Sequence, residues 1–88
     1  MPHKEISLQE ATAVQERYAD ELMRKKNVVG VGVGLRKVGG RPTDQICIVV
    51  MVKDKVPLHS LPPGDRIPQM LDGVPVDVQE TGAFHAGG

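Results

Sequence analysis

The stretch that decides the fold is the run Asn27-Val28-Val29-Gly30-Val31-Gly32-Val33-Gly34-Leu35, in which valine and glycine alternate. A β-strand places alternate residues on opposite faces, so this period of two predicts a strand. The valines would form one apolar face, and Gly30, Gly32 and Gly34 would leave the other face almost without side chains. Glycine weakens the interior of a strand unless another group approaches the backbone closely. We therefore expect a helix, a second chain or a ligand to lie against the glycines, and a helix packed unusually close is the simplest of these.

The segment before this strand predicts an α-helix from about Leu8 to Lys26. Ser7 and Glu10 have the spacing of a capping box, in which each side chain bonds the other residue's backbone. Apolar residues then recur at spacings of three and four, as on one face of a helix, at Leu8, Ala11, Val14, Tyr18 and Leu22. The basic run 24–26 suits the negative end of the helix dipole, and Asn27 tolerates a left-handed stop.

Two further strands are predicted after the first. The run from Asp44 to Lys53 is apolar on both faces over its middle, which is typical of a central strand. It would pair antiparallel with the first strand across Gly39-Gly40. Alternating valines at 74, 76 and 78 predict a third strand, and Pro75 favours an edge position because proline cannot donate to a ladder.

These elements predict an α+β fold. One N-terminal amphipathic helix would pack on a small three-stranded, largely antiparallel sheet, with a proline-rich connection over residues 55–68. We expect a flexible lead over residues 1–6, a single domain over 7–80 and a flexible tail over 81–88. The chain has 88 residues, so its core must be small, and only 2% of them are aromatic. A thin aliphatic core is often completed by oligomerisation or by a neighbouring domain, and we expect a homo-oligomer.

Composition narrows the classes of function. Lys plus Arg number 11 and Asp plus Glu number 11, a formal net charge of zero that disfavours nucleic-acid binding and electrostatic membrane binding. The sequence contains no apolar segment typical of a secretory signal or membrane span. Cys47 is the single cysteine, which suits a reducing compartment, and we expect the protein in the cytoplasm.

No catalytic, cofactor-binding or metal-binding residue is predicted. The glycines follow a helix and lie within a strand, whereas a phosphate-binding glycine loop follows a strand and opens a helix. His3, His59 and His85 lack the short spacings of metal ligands. Cys47 lies in an apolar run, where a thiol is usually an inert hydrophobe. A weak phosphate-binding patch among the basic residues of 24–26, 36–37 and 41 remains an alternative.

Four phrases of the sequence together resemble a known type of module. They are residues 27–34 and 48–57, then Leu-Pro-Pro-Gly-Asp-Arg-Ile-Pro at 61–68 and Leu-Asp-Gly-Val-Pro-Val-Asp-Val at 71–78. In this order they resemble the short N-terminal module that precedes trypsin-like serine protease domains in some bacterial proteins, over roughly residues 27–82. The resemblance implies a non-catalytic leader. The chain has no Ser-His-Asp set and no Gly-Asp-Ser-Gly segment, so no catalytic residue is carried over.

The sequence therefore predicts a non-enzymatic protein–protein interaction module acting as a leader, an adaptor or a protease-associated partner. Its partner would be a trypsin-like protease or a second copy of itself. A self-assembling structural subunit, such as a component of a ring, a shell or a phage particle, is the alternative, and an enzyme or ligand-binding domain is disfavoured. Binding through a strand edge or the glycine-lined face predicts the interaction residues Gly30, Gly32, Gly34, Arg36, Val76 and Val78.

Overall fold

The computed structural model of the chain describes residues 6–54, 56 and 60–81. Its elements are α1 (Leu8–Met23), β1 (Val28–Val38), β2 (Arg41–Val52), a 3-10 turn (Pro63–Asp65), β3 (Met70–Leu71) and β4 (Val74–Glu80). Ile6, from the predicted lead, packs against the core. The predictions for the rest of the lead, for the tail beyond Thr81 and for the three histidines lie outside the described residues.

The predicted helix and its cap are present, but the helix is shorter than expected. The Ser7 side chain accepts a hydrogen bond of 3.0 Å from the Glu10 backbone N–H, which confirms the N-cap. The helix ends at Met23 with Arg24 as its C-cap, so the basic run lies beyond the last turn. Asn27 adopts the left-handed conformation, with φ of 78°, and turns the chain into β1 rather than capping the helix.

The α+β class is confirmed, whereas the prediction of three largely antiparallel strands is wrong in detail. The sheet is mixed and has four strands in the order β1-β2-β4-β3. β1 and β2 form the expected hairpin, and β2 begins at Arg41 because the turn takes only Gly39 and Gly40, both at positive φ. β4 pairs parallel with β2, from Ile48↔Val76 to Val52↔Glu80.

Pro75 led us to expect β4 at an edge of the sheet, but β4 lies between β2 and β3. The two-residue strand β3 pairs antiparallel with it through Met70↔Pro75 and Leu71↔Val74. Asp72 and Gly73 join these strands with φ of 49° and 82°, the signature of a tight two-residue hairpin turn. Proline is tolerated because the Val76 N–H points to Gln69, so the N side of Pro75 faces β2, whose ladder with β4 begins only at Ile48↔Val76.

The helix packs on the valines of the sheet and not on the glycines, contrary to expectation. The valine face of the sheet carries Val31, Val33, Ile48, Val50, Val76 and Val78. The opposite, glycine face carries Gly30, Gly32, Gly34, Cys47, Val49, Met51, Asp77 and Gln79. Ala11, Val14 and Leu22 of α1 form the core with the valine face. Burial of apolar surface, about 25 cal/mol per Å², explains the choice, because glycines offer a helix almost no side chain to cover.

Candidate functional site

The direction of each peptide group in the sheet follows from two hydrogen bonds at the end of β2. The Thr81 N–H donates to the Val52 carbonyl at 2.9 Å, so the backbone N–H and C=O groups of Val52 point toward β4. The Lys53 N–H donates to the Asn27 carbonyl at 2.9 Å, so the backbone groups of Lys53 point toward β1. Peptide groups alternate in direction along a strand. The N–H and C=O groups of the even-numbered residues of β2 therefore point toward β4, and those of the odd-numbered residues point toward β1.

This alternation leaves part of β1 unpaired. Cys47, Val49 and Met51 are partnered by Gly34, Gly32 and Gly30, so the glycines use their N–H and C=O groups in the ladder with β2. The residues between them, Val31, Val33 and Leu35, direct their N–H and C=O groups away from β2. β1 stands first in the strand order, and no strand among the described residues pairs with that side. We call these outward backbone groups of Val31, Val33 and Leu35 the β1 edge.

The β1 edge is a regular stretch between two irregularities. Register shifts occur between Val28 and Gly30 and between Leu35 and Lys37, which leaves Gly30–Leu35 as uninterrupted strand. This stretch contains no charged side chain, and the basic pair Arg36 and Lys37 begins only at the second shift. Natural proteins usually prevent an edge strand from pairing with another chain by means of inward-pointing charges, prolines or bulges. Here the bulges lie outside the stretch, so they set its limits without interrupting it.

On the glycine face, side chains of β2 lean over two of the three glycines. A Cβ at Gly30 would lie 2.8 Å from the Met51 Cε, and one at Gly34 would lie 3.2 Å from the Val49 Cγ2. A Cβ at Gly32 would meet nothing within 4 Å. No helix of the described residues lies on this face. The close approach that the glycines permit is therefore made by neighbouring side chains of the same sheet.

Asp77 spans the glycine face from β4 to β1 and was not among the predicted site residues. Its carboxylate accepts a 2.9 Å hydrogen bond from the Lys37 N–H and a 3.0 Å bond from the Gln79 amide. The Lys37 N–H is thereby satisfied at the second bulge, where the ladder with β2 is irregular. Alternation along β4 puts Asp77 and Gln79 on one face, but no sequence signal shows that Asp77 reaches across β2.

Cys47 lies in this same part of the glycine face and is fully buried. Burial is the main reason that the pKa of its thiol is raised, the nearby Asp77 carboxylate raises the pKa further, and Arg36 opposes both. A thiol with a raised pKa stays protonated at neutral pH and is a poor nucleophile. Its chemistry here is that of a small apolar side chain.

The six predicted interaction residues do not form one surface. Gly30, Gly32 and Gly34 share the glycine face, whereas Val76 and Val78 lie half-buried on the valine face, where they pack against the core. Arg36 is exposed at the second bulge and donates to the Gln45 side chain at 3.2 Å. The three predicted glycines use their backbone groups in the ladder with β2, whereas Val31, Val33 and Leu35 direct theirs outward.

A cleft of about 270 Å³ lies beyond the C-terminal end of α1. Apolar side chains line it at Val52, Val56, Leu61, Ile67 and Val78. Polar groups at its rim bond to one another: the Asp54 N–H donates to the Asn27 side chain at 3.2 Å, and the Lys26 N–H donates to Asp65 at 3.1 Å. These bonds fasten the connection to the end of the helix, so the cleft fits a structural junction better than a site of chemistry.

Among the described residues, no group of three or more His, Cys, Asp or Glu side chains could hold a metal ion. The helix in this part of the chain is neither long enough nor apolar enough to cross a membrane.

Comparison with other proteins adds no assignment. The chain matches no protein-family model, and no curated protein is significantly similar to it. The candidate site therefore stands on geometry alone, and the β1 edge is its strongest feature.

Proposed function

We propose that this protein is a non-enzymatic protein–protein interaction module that binds through the β1 edge. An extended segment of the partner would lie beside β1 and continue the sheet. The observation that carries this proposal is the outward direction of the peptide groups of Val31, Val33 and Leu35 in a regular, uncharged stretch. Backbone groups of an edge strand form hydrogen bonds with any extended chain that reaches them, which gives affinity independent of most side chains.

Specificity at such an edge comes from the side chains on either face. Leu35 is 46% exposed and Val29 is 53% exposed, so an added strand would find apolar side chains at both ends of the regular stretch. On the glycine face, the open space at Gly32 admits a partner side chain where β1 has none of its own. An apolar, β-branched partner strand fits these features because such side chains pack well on a pleated surface.

In the cell, the proposed role is that of a leader, an adaptor or a protease-associated partner in the cytoplasm. The resemblance to modules that precede trypsin-like proteases supports this role, and the single cysteine suits a reducing compartment. The balanced charge favours a protein partner over nucleic acid. A self-assembling structural subunit is the alternative, and the same open edge favours it when the added strand belongs to another copy.

A proline at position 33 tests the proposal directly. Val33→Pro removes one outward N–H and leaves the ladder with β2 intact, and Val33→Ala is the matched control because it shortens the side chain but keeps the N–H. Immobilised protein would capture its partner from a cell extract, and the purified partner would then be titrated against the three proteins. We expect Val33→Pro to weaken binding at least about tenfold and Val33→Ala much less. Equal binding of the two variants would contradict the proposal.

A further inference from the structure

We propose that the strand added at the β1 edge is β1 of a second copy, paired antiparallel about a two-fold axis at Val33. This inference rests on the proposed function, because it names the occupant of the same edge. The directions of the backbone groups, the side chains on the two faces and the charges at the ends of the stretch all favour this pairing.

The backbone of β1 is complementary to itself in one register. Antiparallel strands pair fully when residues with outward groups face each other. With Val33 opposite Val33 of the second copy, Val31 stands opposite Leu35 and Leu35 opposite Val31, so every outward group on both strands finds a partner. About six hydrogen bonds result, two for each of these pairs. A shift by two residues brings Val29, which lies in the first bulge, against Leu35 and forfeits part of this set.

The side chains permit this pairing on both faces. On the glycine face, Gly32 of each copy stands opposite Gly34 of the other, so no side chain obstructs the seam. On the valine face, the exposed Leu35 would be covered by Val31 of the second copy, in a cross-strand apolar pair. A two-fold axis normal to the sheet puts both helices on the valine face, and the two sheets join into one with twice the four strands of a single copy.

Charge selects the antiparallel arrangement over the parallel one. Arg36 and Lys37 lie at the C-terminal end of the regular stretch, and its N-terminal end carries the uncharged Val29 and Gly30. Antiparallel pairing places each basic pair beside the uncharged end of the other copy. Parallel pairing would set like charges beside one another, which destabilises a sheet. The formal net charge of zero means that the two copies do not repel each other as whole molecules.

The first test measures the mass of the full chain in solution by light scattering, from about 10 μM to about 1 mM. We expect the mass to rise from 9.5 kDa toward about 19 kDa as the concentration increases. Leu35→Lys places a charge on the seam and should raise the dissociation constant at least about tenfold. Val38→Lys is the matched control, because Val38 is a 58% exposed apolar residue of β1 beyond the second bulge, and it should dimerise like wild type.

The second test reports the register. Cysteines would be introduced singly at Gly32 and at Gly34 in a Cys47→Ala background, and the two purified proteins would be mixed under mild oxidation. The proposed register puts these positions directly opposite in a non-hydrogen-bonded pair, where Cα atoms lie about 4.5 Å apart and a disulfide can form. The mixture should cross-link faster than either protein alone, and faster than a mixture with cysteines at Gly30 and Gly34.

The outcomes separate this inference from the proposed function. A mass that stays at one copy throughout, a dimer insensitive to Leu35→Lys, or cross-linking that favours the Gly30 and Gly34 mixture would overturn the pairing of β1 about Val33. The proposed function would survive any of these results if Val33→Pro still weakened binding of a captured partner relative to Val33→Ala. If Val33→Pro changed neither self-association nor capture, both proposals would fail.

Discussion

The two outer edges of the sheet are built in opposite ways. One edge is β1, a strand of 11 residues whose regular part carries no charge. The other edge ends in β3, a strand of 2 residues that pairs only with Val74 and Pro75. Short edge strands and prolines are devices by which proteins prevent edge-to-edge pairing. This protein uses them over the first part of β4, here called the closed edge, and leaves the whole regular stretch of β1 open, so the open edge is the better candidate for binding.

The closed edge is also fastened to the helix. Asp72, in the turn between β3 and β4, accepts a 2.9 Å hydrogen bond from the Tyr18 hydroxyl and an ion-paired hydrogen bond from Arg17. Just before β3, the Gln69 carbonyl accepts a 2.9 Å bond from the Val76 N–H. The β1 edge has no comparable fastening among the described residues. The predictions that follow test this difference, from the largest expected effect to the smallest.

The largest effect should come from moving a proline by one residue along β1. Gly32→Pro removes an N–H that points toward β2 and leaves the nearly buried Val49 carbonyl without its partner. We expect it to lower the free energy of unfolding by about 2–4 kcal/mol, and Val33→Pro to lower it by about 1 kcal/mol. Urea denaturation measures both values. Equal losses would mean that the peptide groups of β1 do not alternate as described.

A smaller effect is expected at the closed edge. Gly73→Ala places a side chain on a residue with φ of 82°, which costs about 1–2 kcal/mol. The β3–β4 turn should loosen, and the Val76 amide should exchange faster with solvent. Gly64→Ala serves as the control, because a Cβ there meets nothing within 4 Å and the residue does not have a positive φ. Unchanged exchange at Val76 would mean that β3 does not protect this edge.

Asp77→Asn tests whether the charge of Asp77 acts on Cys47, beside the C-terminal end of β1. The amide oxygen can still accept from Lys37, but the negative charge near Cys47 is gone. The pKa of Cys47 should therefore fall, although burial, the larger cause, keeps it above the ordinary value. A ¹³C NMR titration of the Cys47 Cβ measures this, with Asp44→Asn, an exposed carboxylate on β2, as the control. If the Cys47 pKa did not change, the charge of Asp77 would not be acting on the thiol.

The raised pKa of Cys47 also fixes a direction for stability against pH. The buried thiol favours its neutral form in the folded state more than in the unfolded state. Its stabilising contribution is complete below the ordinary thiol pKa of about 8.5–9 and is lost as the pH rises through the higher folded value. In Asp77→Asn this loss should begin at the same pH, which the unfolded state sets, and finish at a lower pH than in wild type.

The smallest effect should come from Tyr18→Phe, which removes the hydroxyl that donates to Asp72. The melting temperature should fall only slightly, because this hydrogen bond lies at the surface. The bond to Asp72 is the main reason that the pKa of Tyr18 lies above its ordinary value of 10.0. The advantage of wild type over Tyr18→Phe should therefore persist below pH 10 and disappear as the pH rises through the folded value. A constant difference across that range would argue against the bond.

Local signals predicted much of this fold from the sequence. Ser7 with Glu10 marked the helix start, alternation marked β1, and Gly39-Gly40 marked the hairpin, because each depends on residues close in the chain. The parallel pairing of β2 with β4 was missed, because parallel strands are joined by long crossovers and the connection 53–69 has no regular pattern. β3 was missed because two residues show no periodicity.

The open edge of β1 could be predicted only in part. Alternation shows that Gly32 and Val33 lie on opposite faces of β1, but it does not show which of them directs its peptide groups toward β2. That depends on the register with β2 and, through it, on the Thr81 and Lys53 hydrogen bonds at the far end of the sheet. The prediction that the helix covers the glycines was wrong for a different reason. Glycines permit a close approach, but they supply no apolar area whose burial would stabilise it.

The most direct measurement of the open edge is amide hydrogen exchange along β1, read by NMR in dilute and in concentrated solution. In dilute solution we predict slow exchange at Gly30, Gly32 and Gly34, which bond β2, and fast exchange at Val31, Val33 and Leu35. At high concentration the fast set should become protected while the slow set is unchanged. Uniformly slow exchange along β1 in dilute solution, or no added protection at high concentration, would contradict an open edge that pairs with a second copy.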